Sequence, residues 1–136
     1  MKIRVYYEDT DCGGMVYYAN YLRYMERSRT EYLRERGVSL AELQREGIVF
    51  VVVHADITYR AAARYEDLLD VTSYVMERTS VSVTFHTTIV DERGRLLVKG
   101  DVKLACVGPR GRAVRIPPAV AGKLDVVAQR SESGGD

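Results

Sequence analysis

Apolar and polar positions change period along this chain, and each change marks an element. Residues 2–8 alternate, with Ile3, Val5 and Tyr7 on one side, which predicts a short strand. A polar, glycine-containing loop, DTDCGG, follows. From about Tyr18 to Arg36 the period becomes helical, and Tyr21, Leu22, Met25, Ser28, Tyr32 and Leu33 fall on one stripe. Gly37 is placed to end that helix as its C′ residue. Ser39 and Glu42 then form an S-x-x-E signal for a short second helix that stops near Gly47. Beyond it, period two returns. Residues 48–59 carry Val49, Val51, Val53, Ala55, Ile57 and Tyr59 on one face, and further strands are predicted at about 67–78, 79–91 and 95–108. In the last of these Leu96, Val98, Gly100, Val102, Leu104 and Cys106 share a face. The glycine inside that row marks either a bulge or the close approach of another element. Turns are predicted at 91–94 and 109–112, then a short strand, Pro117-Pro118 and a terminal helix over about 119–128.

This pattern is α+β: one long amphipathic helix followed by long antiparallel strands. Such a helix cannot bury itself, so the sheet is expected to curl around it. A length of 136 residues fits one domain, taken as residues 1–130, with 131–136 as a frayed tail.

Composition narrows the partners. A formal net charge of +1 gives no global field for nucleic acid or a membrane surface. The longest apolar run, Ile48 to Val53, is far short of the roughly 20 residues that span a bilayer. Lys2, Arg4, Glu8, Asp9 and Asp11 leave no apolar stretch for a signal peptide. Cys12 and Cys106 make neither a disulfide framework nor a zinc site. The only histidines, His54 and His86, have no carboxylate–cysteine cluster near them in sequence, so no metal is expected. A cytoplasmic, reduced protein with neither nucleic-acid nor integral membrane association is the expectation. Arginine outnumbers lysine 16 to 4; its planar fork suits phosphate, although a solvated surface accounts for the same excess.

The chemistry concentrates in one stretch, Val5-Tyr-Tyr-Glu-Asp-Thr-Asp-Cys-Gly-Gly-Met-Val-Tyr-Tyr-Ala-Asn-Tyr21, continuing into Met25-Glu-Arg-Ser-Arg-Thr-Glu31. Its D-x-D-x-x-G-x-V-Y-x-x-N-Y core resembles the signature of the 4-hydroxybenzoyl-CoA thioesterase-like proteins, and most closely their Tol–Pal-associated acyl-CoA thioesterase branch. The likeness runs on through Ile57-Thr-Tyr59, Asp67, Arg78-Thr-Ser80, Leu104-Ala-Cys-Val107 and Arg115-Ile-Pro117. It implies a hotdog fold, an antiparallel sheet wrapped around one central helix, with active sites at a dimer interface. A homodimer or homotetramer is the expected assembly, and an acyl-CoA or acyl-carrier-protein thioester the expected substrate, with no cofactor.

By that resemblance Asp11 is the catalytic carboxylate, and the backbone N–H of Tyr18 donates to the thioester oxygen. Gly14, Val16, Tyr17, Tyr21 and Tyr59 would contact substrate, and Arg78, Thr79 and Ser80 would lie near the CoA phosphates. Physically, Gly13 and Gly14 allow tight turns and close approach of a ligand. The first N–H groups of a helix lack internal partners and sit at its positive end, where they can stabilise an oxyanion. Asp11 would either attack the carbonyl or deprotonate a water; the residues leave that choice open. A carboxylate is a weak base and nucleophile, which favours a thioester, because a thiol leaves as thiolate without a proton donor. An Asx-turn or helix cap is the structural alternative for Asp11.

Departures and rivals accompany this reading. The branch commonly has His where this chain has Tyr18, whereas aromatic-acyl thioesterases carry Tyr. Ala61-Ala62-Ala63 stands where relatives often show a proline. Cys12 adjoins Asp11 and invites a nucleophilic role, but small residues fill that slot and packing explains it better. A helix carboxylate, Glu26 or Glu31, a hydratase or dehydratase acting on acyl thioesters, and a non-catalytic acyl-CoA-binding or assembly module are the remaining alternatives.

Overall fold

The computed structural model describes residues 1–127. Its elements are β1 (Lys2–Arg4), α1 (Ala19–Glu35), α2 (Leu40–Arg45), β2 (Val49–Tyr59), β3 (Leu68–Arg78), β4 (Ser82–Val90), β5 (Leu96–Val107) and α3 (Pro118–Ala121). The strands form one antiparallel sheet in the order β1-β3-β4-β5-β2. The curled sheet packs around α1, as the pattern of elements requires.

The boundaries of α1 follow local chemistry. Gly37 adopts φ +78°, a left-handed conformation that suits glycine. The Val38 N–H reaches back to the Leu33 carbonyl at 2.9 Å, closing a Schellman-type end. Ser39 Oγ accepts the Glu42 N–H at 3.2 Å and caps α2. Along α1 the buried stripe is Asn20, Tyr21, Tyr24, Met25, Ser28, Arg29, Tyr32 and Leu33. Leu22, expected on it, is 44% exposed, and Tyr24 lies in the stripe instead.

The expected strand over 2–8 stops at Arg4. Asp9 Oδ2 accepts the Tyr6 N–H at 2.9 Å and the Thr10 N–H donates to the Tyr7 carbonyl, so 7–9 coil into a 3₁₀ turn. The expected helix over 119–128 is only the four residues of α3, which Pro118 begins and Gly122 ends. Residues 128–136, including the tail, lie outside the described residues.

A larger correction concerns β2. The face of Val49, Val51 and Val53 does not continue into Ala55, Ile57 and Tyr59. Pairing with β5 slips between Val52 and His54, leaving Val53 as an extra residue. Phe50 and Val52 therefore share the inner face with Ala55, Ile57 and Tyr59, opposite Cys106, Leu104, Val102, Gly100 and Val98. A second slip, at Met76 in β3, falls on the same level of the sheet. Phe85 and Thr84 flank it, and Thr84 pairs with Lys103, one of the two residues that flank the first, so the slips lie within one residue pair of each other. Two aligned bulges bend and twist the sheet at one level, which curls it over α1.

Gly100 resolves in favour of close approach. A Cβ there would meet Ile57 Cδ1 at 2.5 Å and Met25 Cε at 3.1 Å, while pairing on both sides stays regular. Beneath the helix, Ser28 Oγ, Ser73 Oγ and Thr87 Oγ1 are linked at 2.8 Å each, satisfying buried hydroxyls. His86 is buried on the outer face. Its Nδ1 lies 2.6 Å from Asp101 Oδ1 and its ring packs on Tyr74. His54 is exposed.

Candidate active site

The loop from Thr10 to Tyr17 is closed at its base by its own backbone. Thr10 and Val16 form an antiparallel bridge, and the Tyr17 N–H donates to the Asp9 carbonyl at 3.0 Å. The Val16 N–H donates to Ala63 at 2.9 Å, and the Tyr65 N–H donates to the Gly14 carbonyl at 3.2 Å. The Asn20 side-chain amide donates to the Asp9 carbonyl at 2.8 Å, tying the loop to the first turn of α1. Gly14 sits at φ +77° with open space around its missing Cβ, so backbone conformation, not crowding, calls for glycine.

At the loop's start, Asp11 is exposed and held by one oxygen. Oδ1 accepts the Gly13 N–H at 2.8 Å and the Met15 N–H at 3.3 Å. This is the Asx-type turn weighed as the structural alternative. It leaves Oδ2 without a partner among the described residues, so the turn orients the carboxylate without using it up. At the loop's end, Tyr18 already has helical angles, φ −56° and ψ −31°. The Asn20 and Tyr21 N–H groups bond the Tyr17 and Tyr18 carbonyls. No acceptor among the described residues engages the N–H groups of Tyr18 or Ala19. A free carboxylate oxygen and free helix-terminal N–H groups thus flank one short loop. That pairing can polarise a carbonyl and deliver an oxygen nucleophile to it.

Aromatic rings surround this point. The Tyr18 ring packs 5.0 Å from Tyr17 and 6.2 Å from Tyr59, centroid to centroid, and Tyr59 lies 5.7 Å from Tyr21. Tyr17, Tyr18 and Tyr59 are exposed. Tyr21 is not: it is buried, and its Oη accepts the Ala63 N–H at 2.9 Å, anchoring α1 to the loop before β3. Burial, with the Tyr59 charge, raises its pKa against the lowering effect of that bond. Val16 is also buried. Tyr24, which the sequence reading passed over, is buried beside them. Burial and the charge of Asp9 push its phenol well above the ordinary tyrosine value, keeping it neutral.

Cys12 is exposed and free, whereas Cys106 is buried and burial pushes its thiol pKa up. Glu31 pairs with Arg34, and Glu26 lines a separate cavity further along α1. Arg78, Thr79 and Ser80 are not brought to Asp11 within one chain. They form the β3–β4 turn, where Thr79 Oγ1 accepts the Ser82 N–H at 3.0 Å and Ser80 O accepts the Ile116 N–H at 2.8 Å. That turn is a whole strand, roughly 33 Å, from the Leu68 end of β3 against which the Asp11 loop rests. Among the described residues no group of three or more His, Cys, Asp or Glu is placed to hold a metal, and no helix is long and apolar enough to cross a membrane.

A helix wrapped by a curled antiparallel sheet, with a carboxylate loop at the helix start, is the hotdog arrangement, and the thioesterase-like superfamily model matches residues 5–124. The chain belongs to that superfamily. Among curated relatives it is 40% identical over 107 residues to the acyl-CoA thioester hydrolase YbgC of Escherichia coli, covering 79% of this chain and 80% of that one. It is 42% identical over 106 residues to the acyl-CoA thioesterase YbgC of Haemophilus influenzae, covering 77% of each. Among solved structures, the BH1999 gentisyl-coenzyme A thioesterase superposes with a TM-score of 0.83 at 26% identity, over 89% of this chain and 98% of that chain.

Proposed function

We propose that this chain hydrolyses acyl-CoA thioesters to free acid and CoA, with Asp11 as nucleophile or general base and the Tyr18 N–H as oxyanion donor. The observation that carries the reading is the shared loop. It carries the free Asp11 oxygen at one end and leads into the unengaged start of α1 at the other, and the named relatives hydrolyse this substrate class. The carbonyl oxygen accepts from the Tyr18 N–H, charge develops there during attack, and CoA leaves as thiolate. A thiolate leaves without a proton donor, and the chemistry asks for no metal or redox cofactor. An acyl-carrier protein could present the same thioester.

Two further points belong to this reading. The working unit is a homodimer or homotetramer: β2 is a long edge strand carrying exposed Val49, Val51, Val52 and Val53, a surface that usually pairs or is covered. In such an assembly Arg78, Thr79 and Ser80 would serve the site of a partner, since they lie a strand's length from Asp11 in their own chain. The activity is placed in the cytoplasm, with both thiols reduced. A panel of short, long and aromatic acyl-CoAs, read by release of free thiol, tests the reaction. Turnover on at least one is expected, and no thiol release from any of them would leave only a binding module.

A further inference from the structure

About two turns beyond the start of α1 the structure holds a cavity of about 270 Å³ between α1, α2 and the inner face of β2. Leu33, Phe50 and Val52 give it apolar walls, and Glu26, Arg29 and Thr30 supply its helix side. Glu26 is exposed, whereas Arg29 is 9% exposed. Arg29 makes no hydrogen bond or ion pair among the described residues, and only the longer-range attraction of Glu26 offsets its burial. A guanidinium removed from water without an acceptor is costly unless something supplies one. Its five N–H donors in a planar fork match a carboxylate.

We propose that this cavity receives the distal end of the acyl group, and that Arg29 selects acyl-CoAs whose chain ends in a carboxylate. The inference rests on the hydrolase reading and adds a substrate class to it. Glu26 is solvated and therefore screened, so the deep charge sensed by a buried chain end is the cation. The helix rise sets Arg29 about 16 Å from Tyr18 along α1. A thioester held at Tyr18 of the same protomer needs a long chain to reach it, while the cavity of a neighbouring copy could lie nearer. The optimal chain length distinguishes these two geometries.

The test uses CoA monothioesters of straight-chain dicarboxylic acids of increasing length, each paired with the methyl-terminated acyl-CoA of equal length. At the optimal length the acid-terminated member is expected to have about 10- to 100-fold higher kcat/KM, the range of a charge-assisted contact. Arg29→Met should erase that ratio by slowing the acid-terminated substrate, and Arg29→Lys should restore part of it. Binding of the same pairs to Asp11→Asn, measured by calorimetry, reads the preference without turnover. An Arg29-dependent binding ratio together with no thiol release from wild type would sink the hydrolase reading and keep the selectivity. Thiol release with the ratio unchanged by Arg29→Met would do the reverse. A preference for methyl-terminated chains at every length overturns the inference. So does a lower Tm for Arg29→Met with unchanged selectivity, since Arg29 would then be a structural counter-ion.

Discussion

The two halves of α1 are finished in different ways. At its start, the chain supplies the partners itself: the Thr10–Val16 bridge, the Asp11 turn, the Asn20 amide and the Tyr21 anchor all close within the described residues. Further along, α1 and β2 line a cavity, the valines of β2 are exposed, and its outer edge pairs with nothing among the described residues. The first half is pre-organised, so its chemistry should answer to single atoms. The second is open, so its behaviour should depend on what covers it.

The largest effect is expected where the closed half is deprived of charge alone. Asp11→Asn keeps an oxygen for the Gly13 and Met15 N–H groups but removes the negative charge. Its kcat, followed by thiol release on the best substrate, should fall at least about a hundredfold, with little change in Tm. Retained activity would reduce Asp11 to a loop-shaping residue.

Next comes the open half. Lysines at Val51 and Val53 place charges along the exposed edge and oppose strand pairing. The double substitution should shift the protein to monomers by light scattering. It should also lower kcat/KM at least about tenfold, a loss of about 1.4 kcal/mol in transition-state binding, if sites are completed across subunits. A wild-type monomer with full activity would break the comparison, because the open half would then need no cover.

Two smaller changes sharpen it. Tyr18 gives the closed half its backbone N–H, while its ring is exposed between Tyr17 and Tyr59. Tyr18→His should therefore reorder kcat/KM among substrates yet leave the best rate within about tenfold. A collapse on every substrate would make the phenol catalytic. The smallest effect is expected from Cys12→Ala, which should keep most activity in the same assay. Abolished turnover there would transfer the nucleophile from Asp11 to the neighbouring thiol.

What could be read beforehand follows the same division. The ends of α1, the four long strands and the glycine loop announce themselves, since capping residues, alternation and positive φ act over a few neighbours. The close approach at Gly100 was one of two readings, and only the position of Met25 and Ile57 decides it. The bulge at Val53 leaves no trace, because in Val-Phe-Val-Val-Val either parity reads as apolar. Tyr24 carries no such signal, because a phenol is at home both in water and in a core. Arg29 does not stand out in the sequence as a buried cation, because a cation on a helix ordinarily marks the solvent face. Asp11 was visible through the motif around it, yet that motif alone could not separate a carboxylate that turns the chain from one that reacts. The structure gives it both an engaged and a free oxygen.

The aligned bulges at Val53 and Met76 work as a phase shift in the sheet's two-residue code. Downstream of Met76 the odd and even positions of β3 exchange sides, which is how Arg78 comes to stand opposite buried Val83. Upstream of Val53 the same exchange sends Phe50 and Val52 inward. Neither extra residue disturbs the pairing of β4 with β5 at that level, which stays continuous between them. At this level β4 and β5 act as a spine, and the flanking strands absorb the mismatch. A one-residue insertion is therefore tolerable in β2 or β3 at this level, where the same change in β4 or β5 would turn the core inside out.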